Sequence, residues 1–402
     1  MRILFVHNPS TGADSTDPSA DRIVTLLRRN GHIVDRLART EAGGIAAFVR
    51  RARALVTGIH SFRDRLAMRR CIQQRPPDIV HVHNLQPMSS ASDLAEAATH
   101  GIPIVLHCGD HRLVCPTGQM FSGGGACGKC ADGNDWWCFL RNCESNRLRS
   151  LATTARNLIV WLRRDLHRNV SAFYTHSEFA RQKMIDKGFP LSRVRVVPGM
   201  IDRPDRPAER TPGRYVAFAG PLRREWGIRT LLSAVRACPG VPFLATGPDD
   251  RTRDFDGSLS ANFTLAGSLS DNALEAYYAN ARFTVIPSIR YENSPGPILE
   301  TMLAGKPVVC ARIGGLPEMV EDGLTGLLFE PGNPQDLAQK IALLWENPEW
   351  CRRLGEAGRA KALQEYTPER HYERLMDVYC AAAEVQCESP AQWTPEEIME
   401  GI

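Results

Sequence analysis

Short apolar runs of strand composition alternate with helical segments along nearly the whole chain, and this alternation restricts the fold more than any other feature. ILFVH precedes the helical DRIVTLLRRNG, IVHVH and IPIVL follow, and VAFAG, PFLAT, FTLAG, FTVIPS and PVVCA recur in the second half. Strands that alternate with helices pair in parallel, so two such series predict an α/β chain of two doubly wound, Rossmann-like sheets. Ligands collect beyond the carboxyl ends of such strands, which turns the loops after ILFVH, IPIVL, VAFAG and FTVIPS toward one crevice.

Length agrees, because 402 residues exceed what one hydrophobic core organises and suit two halves of about 200 each. The expected divisions are 1–200 for the first half, with a Cys-rich insert at 115–143, and 213–367 for the second. A helix over 368–386 is expected to return to the first half, followed by a polar tail at 387–402. The connector from Pro198 to Pro212 is rich in Pro, Arg and Asp. With 43% hydrophobic and 23% charged residues the composition is that of an ordinary globular protein. No apolar run approaches the roughly 20 residues that span a bilayer, and MRILFVHN reads as a strand without a leader behind it, so a cytoplasmic location is expected. A net charge of +4, without interleaved aromatic and basic residues, gives no nucleic-acid signal.

Between FTVIPS and the helix that runs into AGKPVV stands ENSPGPILE, which sets Glu292 in a loop and Glu300 eight positions later inside the helix. Ser294 and Pro295 read as an N-cap and first-turn pair, leaving backbone N–H groups around residues 294–297 to face a diphosphate. A carboxylate accepts paired hydroxyl hydrogen bonds well, so Glu292 suits sugar hydroxyls and Glu300 ribose hydroxyls. Two solvated helix-end acids would show the same spacing.

From Val216 to about Thr367 the segments FAGPLRREWGIRTLL, LAGSLSDNALEAYYANARFTVIPS, ENSPGPILETMLAGKPVV and IGGLPEMVEDGLTGLLFEPGNPQDLA closely resemble the C-terminal half of glycosyltransferase family 4. MRILFVHN, PDIVHVHN, RLVCP and SEFARQKMIDKGFPLSRVRVVP resemble its N-terminal half. The resemblance implies a GT-B fold and a retaining, metal-independent transferase. Its donor would be a nucleotide-diphosphate sugar and its acceptor a small molecule or glycan that the sequence does not identify. It also implies donor-binding roles for Glu300, Arg290, Asn293, Ser294, Gly296, Gly220 and Gly12, and roles at the reacting sugar for Glu292, Arg223, Arg224 and His111.

The chain departs from the family pattern at three places. A Gly-Gly pair is usual after the first strand, where Pro18 and Ser19 stand here and Gly12 lies earlier in a longer loop. A His is usual at the place of Gly109, flanked here by His107 and His111, either of which could reach in or remain a loop histidine. In the pattern G-R-L-x-x-E-K-G an Arg and a Lys bind the diphosphate, whereas GPLRREWG puts Pro221 and Trp226 in their places. A hydrogen bond to a charged group contributes roughly 1.5–3 kcal/mol, so losing both cations would cost about 3–6 kcal/mol. Arg223, Arg224 and Arg290 are the candidates to restore the charge, the bland alternative being solvated surface arginines. A transferase-like protein that binds a nucleotide sugar without turning it over is the second functional reading.

Five of twelve cysteines crowd into residues 115–143. Cys127 and Cys130 form a Cys-x2-Cys pair followed by Cys138 and Cys143, a spacing that suits a closed, structural zinc tetrad, with disulfides or free thiols as alternatives. A Cys-rich insert after RLVCP also resembles one found in a subset of family 4. Finally, RLRSLATTARNLIVWLRRDLHRNV places Leu148, Leu151, Ala155, Leu158, Leu162 and Leu166 at helical period among arginines. Such a helix either buries its apolar face in a domain, the expectation adopted here, or lies on a membrane.

Overall fold

The computed structural model describes residues 1–7, 18–38, 62–83, 91–202, 213–248 and 259–387. Its strands are β1 (Arg2–His7), β2 (Ile33–Ala38), β3 (Ile79–His83), β4 (Ile104–His107), β5 (Phe121–Ser122), β6 (Gly125–Ala126), β7 (Ala172–Thr175) and β8 (Val194–Val196), then β9 (Tyr215–Ala219), β10 (Phe243–Thr246), β11 (Phe263–Gly267), β12 (Ala281–Ile286), β13 (Val308–Ala311) and β14 (Gly326–Phe329). Helices α1 (Pro18–Arg29), α2 (Phe62–Gln74), α3 (Ala91–Thr99), α4 (Trp136–Leu140), α5 (Arg147–Arg163), α6 (Asp165–Asn169) and α7 (Glu178–Asp186) accompany the first series. With the second go α8 (Ile228–Ala237), α9 (Asp271–Asn280), α10 (Gly296–Leu303), α11 (Leu316–Met319), α12 (Pro334–Glu346), α13 (Pro348–Glu365) and α14 (Pro368–Cys387).

Two six-stranded sheets result, in the orders β2-β1-β3-β4-β7-β8 and β11-β10-β9-β12-β13-β14. Every pairing within them is parallel. In the second sheet the order reverses between β9 and β12, and in the first between β1 and β3, so the chain itself defines where each crevice opens.

Both faces of each sheet are covered. On β3 the period of two sends Val80 and Val82 into the core beneath α2 and α3, while Ile79, His81 and His83 face α1 and α14. Leu375, Val378, Tyr379 and Ala382, one stripe of α14 at helical spacing, bury against Ile3, Phe5 and Ile79. Burial of side chains such as Leu375 and Val378 is worth roughly 1.5–3 kcal/mol each, enough to hold the last helix on the first sheet. In the second half Val216, Phe218, Phe283 and Val285 pack with Ile298, Met302 and Leu337 in one core.

The basic segment expected to form one helix from Arg147 onward breaks at Arg164, whose φ of 51° caps α5 in the left-handed region and starts α6. Among the described residues no helix is long and apolar enough to cross a membrane.

Candidate functional site

A cavity of about 580 Å³ opens at the carboxyl ends of β9 and β12, at the reversal of the second sheet, and Gly109 and His111 of the first half line its opposite wall. The loop after β9 contributes Gly220, Pro221 and Trp226, and the loop after β12 contributes Arg290 to Gly296. Gly247 ends β10 with φ +150°, and a Cβ there would lie 2.2 Å from the Gly220 carbonyl oxygen, so only glycine lets the two strand ends meet.

The segment IGGLPE holds the Glu292 loop from behind. A Cβ on Gly314, at φ +61°, would fall 2.5 Å from the Glu292 carbonyl oxygen, and the Gly315 N–H donates to that same oxygen at 2.8 Å. The Thr301 hydroxyl of α10 donates to the Pro297 carbonyl at 2.7 Å and shares a 2.7 Å hydrogen bond with the Thr284 hydroxyl of β12, which fixes the helix to the sheet. Helix α10 does not start as the sequence suggests. Pro295 is its N-cap, without a side-chain cap, and the Ser294 hydroxyl is buried without a protein partner. Pro295 and Pro297 carry no N–H and Ile298 N–H already meets the Pro295 carbonyl at 3.2 Å, so the turn offers fewer donors than a Ser-capped helix.

Glu292, His111, Glu300, Arg290, Asn293, Ser294, Gly296 and Gly220 all line this cavity. Glu292 is buried, accepts from Ser288 Oγ at 3.0 Å, and pairs with Arg290, whose Nε donates at 2.8 Å and Nη2 at 3.4 Å. The Arg290 guanidinium stacks on Trp226, 4.3 Å from the ring centroid. Trp226 stands where the resemblance expects a lysine, so it returns a cation to the cavity by carrying one from the neighbouring loop. Arg223 and Arg224 are exposed and do not line the cavity, and Arg224 instead lies against Gly124 of the β5–β6 hairpin. Gly12 lies outside the described residues.

Glu300 is held above the ordinary carboxylate range by burial, which nearby Tyr278 and Arg22 partly offset. Arg22 belongs to α1, so the first half reaches toward Glu300 across the crevice. Burial and the nearby Arg290 push His111 down to about 4, so its ring is neutral at pH 7. Its Nε2 is buried in the cavity wall and has no protein hydrogen-bond partner.

Asn293 joins the halves rather than projecting alone. Its Oδ1 accepts from Ser177 Oγ at 2.6 Å and its Nδ2 donates to the Gly109 carbonyl at 3.3 Å and to Thr175 Oγ1 at 3.2 Å. Glu318 adds a second tie, its carboxylate accepting from the Glu178 and Phe179 N–H groups at 2.7 Å each, at the start of α7.

Sequence reasoning missed a row of buried imidazoles on the first sheet. Ser19 Oγ lies 3.2 Å from His83 Nε2, His83 Nδ1 lies 3.1 Å from His107 Nδ1, His107 Nε2 lies 2.9 Å from His176 Nε2, and His176 Nδ1 lies 2.8 Å from the Val197 carbonyl oxygen. A carbonyl only accepts, which fixes every tautomer in the row when the rings are neutral. His176 carries its proton on Nδ1, His107 on Nε2 and His83 on Nδ1, and Ser19 donates to His83. Burial lowers His107 and His176, in keeping with neutral rings. The available signal was IVHVH, whose period of two puts both histidines on one buried face.

The zinc reading of Cys127, Cys130, Cys138 and Cys143 finds no support among the described residues. These thiols and Cys115 ring one small cavity, but among the described residues no group of three or more His, Cys, Asp or Glu side chains is arranged to hold a metal ion. The sulfurs meet other partners: Cys143 and Ser122 are 3.6 Å apart, Cys115 and Thr117 3.3 Å, and Arg141 Nη1 is 4.0 Å from Cys127 Sγ. All five are free thiols.

Comparison with known proteins follows the same division. Residues 17–199 match the family described as glycosyl transferase 4-like domain, and residues 202–361 match glycosyl transferases group 1. The chain is 30% identical to sulfoquinovosyl transferase SQD2 of Arabidopsis thaliana over 215 residues, 52% of this chain and 37% of that protein. It is 37% identical to the MMP alpha-(1->4)-mannosyltransferase of Mycolicibacterium hassiacum over 103 residues, 25% of each. The aligned stretches thus span well under half the length of these curated relatives. Among solved structures, sucrose-phosphate synthase from Thermosynechococcus elongatus superposes with a TM-score of 0.65 at 17% identity, covering 94% of this chain and 98% of that one. Anabaena HepE, solved with UDP and glucose, superposes with 0.63 at 18% identity, covering 95% and 100%.

Proposed function

Since the chain belongs to the GT-B glycosyltransferases, with a glycosyl transferase 4-like half followed by a group 1 half, we propose that it transfers a sugar from a nucleotide-diphosphate donor to an acceptor with retention of configuration. The observation that carries this reading is the placement of Glu300, Arg290 and Glu292 along one wall of a 580 Å³ cavity at the strand-order reversal. Glu300 accepts the two ribose hydroxyls, and Arg290 on its Trp226 platform faces the diphosphate. Glu292 and the neutral His111 Nε2 accept from hydroxyls of the sugar. HepE, as its complex states, holds UDP and glucose on this same fold.

In the reaction the bond from the anomeric carbon to the diphosphate oxygen breaks and the electron pair leaves with the diphosphate. The resulting oxocarbenium-like sugar is attacked by the acceptor hydroxyl from the same face, and the departing phosphate takes the acceptor's proton. Arg290 and the start of α10 stabilise the charge that builds on the leaving group. This account needs no protein nucleophile. The insert at residues 115–143 borders the acceptor side, since Gly118 and Gln119 line the cavity beside His111.

One observation favours a silent binding protein instead: Arg290 is already paired with Glu292, so little uncompensated positive charge faces the diphosphate. A panel of UDP-, GDP- and dTDP-sugars separates the readings. Transfer or donor hydrolysis with one member supports the enzyme, whereas calorimetric binding without turnover across the panel supports the silent form.

A further inference from the structure

Helix α5 is turned the opposite way from its sequence pattern. Ser150, Thr154 and Asn157, at i, i+4 and i+7, are buried, while Leu148 is 78% exposed, Leu151 39% exposed, and Ala155 also faces solvent. The inversion has a local cause. Ser150 Oγ accepts from the Glu144 N–H at 3.1 Å and donates to Asn142 Oδ1 at 3.2 Å, and Thr154 Oγ1 lies within 3.4 Å of both the Ser150 and Asp135 carbonyl oxygens. The polar stripe thus satisfies backbone and side chains of the Cys-rich insert and leaves Leu148, Leu151 and Ala155 exposed, while Leu158 further along is half-buried and Leu166 is buried. Helix α4, packed along α5, adds Trp136 at 49% exposure and Leu140 at 67%. Among the described residues nine large hydrophobic side chains are exposed, and four of them fall within residues 136–151. This is a cluster, not the scatter usual on a surface.

The charges around it are mostly positive, the nearby acid Glu144 lying 3.8 Å from Arg149. The sequence of α5 carries Arg147, Arg149, Arg156 and Arg163 and no acid, and Arg147 and Arg149 flank the Leu148–Leu151 stripe on either side of the helix. Arg141 follows α4 and is exposed.

We propose that α4 and the outer face of α5 dock on an anionic lipid surface, with Trp136, Leu140, Leu148 and Leu151 entering the headgroup boundary and the arginines meeting lipid phosphates. Charge decides among occupants. A second copy of the chain, placed isologously, would bring Arg147 and Arg149 against their own kind. A nucleic acid would leave the leucines wet. The surface is separate from the cavity that holds the proposed donor site, so this inference stands whether or not the transfer chemistry does.

The test is cosedimentation of the full chain with sucrose-loaded vesicles, either phosphatidylcholine alone or with phosphatidylglycerol added. The wild type is expected to sediment at least tenfold more with the anionic vesicles and to be released by 0.5 M salt. Leu148→Asp with Leu151→Asp, both exposed and therefore compatible with folding, is expected to lose that binding at least tenfold, as is Arg147→Glu with Arg149→Glu. Nucleoside diphosphate affinity of each variant should stay that of the wild type, which also shows that it is folded. Absence of wild-type binding, equal binding to neutral vesicles, or binding unchanged in both variants overturns the proposal. So does a dimer in sedimentation velocity that the leucine variant abolishes while vesicle binding is absent.

Discussion

Arg290 stacks on Trp226 with its guanidinium carbon 4.3 Å from the ring centroid, and the two residues come from loops more than sixty positions apart. A tryptophan in the position where the resemblance implies a lysine therefore does not empty the cavity of charge. It gives a cation from the opposite loop a surface to rest on, and Glu292 holds that cation's other edge at 2.8 Å.

Removing either member of the stack should tell on the diphosphate. Arg290→Ala is expected to weaken nucleoside diphosphate binding about ten- to a hundredfold, the worth of one charged hydrogen bond, and Trp226→Ala by a smaller factor. Nucleoside without phosphates should bind both variants as it binds the wild type. Equal losses for nucleoside and nucleoside diphosphate in calorimetry would place Arg290 away from the phosphates.

Glu300 makes the complementary prediction. Glu300→Gln should weaken nucleoside and nucleoside diphosphate alike, by about tenfold or more, because the ribose is common to both. For a 2′-deoxy ligand the difference between variant and wild type should shrink, since one of the two hydroxyls at stake is then absent and only the 3′-hydroxyl contact remains to be lost. Retained discrimination against the deoxy ligand in the variant would move the ribose elsewhere.

Acid should destabilise the fold through its buried histidines. Burial lowers His111 and His371 to about 4, against 6.5 in the unfolded chain, so between those values the unfolded state binds more protons and stability falls as pH drops. Lowering pH from 7 to 5 should remove roughly 2 kcal/mol per histidine, and the slope from these two groups fades as pH rises about one unit past 6.5, where the unfolded imidazoles also lose their protons. Glu300, raised by burial, works in the opposite sense and only blunts the loss. Thermal melts across pH 5–7.5 read this directly, and a Tm that stays flat over that range contradicts it.

The row of imidazoles predicts tautomers. Nitrogen-15 NMR at pH 7.5 should find His107 protonated on Nε2 and His176 on Nδ1, because the Val197 carbonyl at the end of the row accepts only. The reverse assignment for His107 would break the row.

Thiol reactivity within the insert should be uneven. The Cys138 thiol and the Ser122 hydroxyl stabilise the Cys143 thiolate and bring it down to about 6, while burial pushes Cys130 up to about 12. At pH 7 iodoacetamide should modify Cys143 before Cys130 and Cys138, as read by peptide mass spectrometry. Uniform modification of the three would count against this arrangement.

The alternation of strands and helices was legible because period and turn chemistry are local, and it led to both sheets and to the crevice between β9 and β12. Glu292 and Glu300 were legible for the same reason, both lying in one short segment. The Arg290–Trp226 stack was not, since a pair so distant in sequence leaves no mark on either loop alone. Helix α5 misled because periodicity reports which residues share a face and not which face is buried. Hydrogen bonds from Ser150 and Thr154 to the insert reversed the usual outcome. Cysteine spacing is equally limited, because Cys-x2-Cys permits a tetrahedral site but does not stop Cys143 from lying against Ser122 or Cys127 against Arg141. The start of α10 was misplaced by one residue, where Pro295 took the cap from Ser294.

The most direct test of the whole account is calorimetric titration of the full chain with UDP, GDP and dTDP, repeated on Glu300→Gln. The account predicts that at least one nucleoside diphosphate binds at one per chain and that the substitution weakens it tenfold or more. Absence of binding by all three, or binding that Glu300→Gln leaves unchanged, would contradict it.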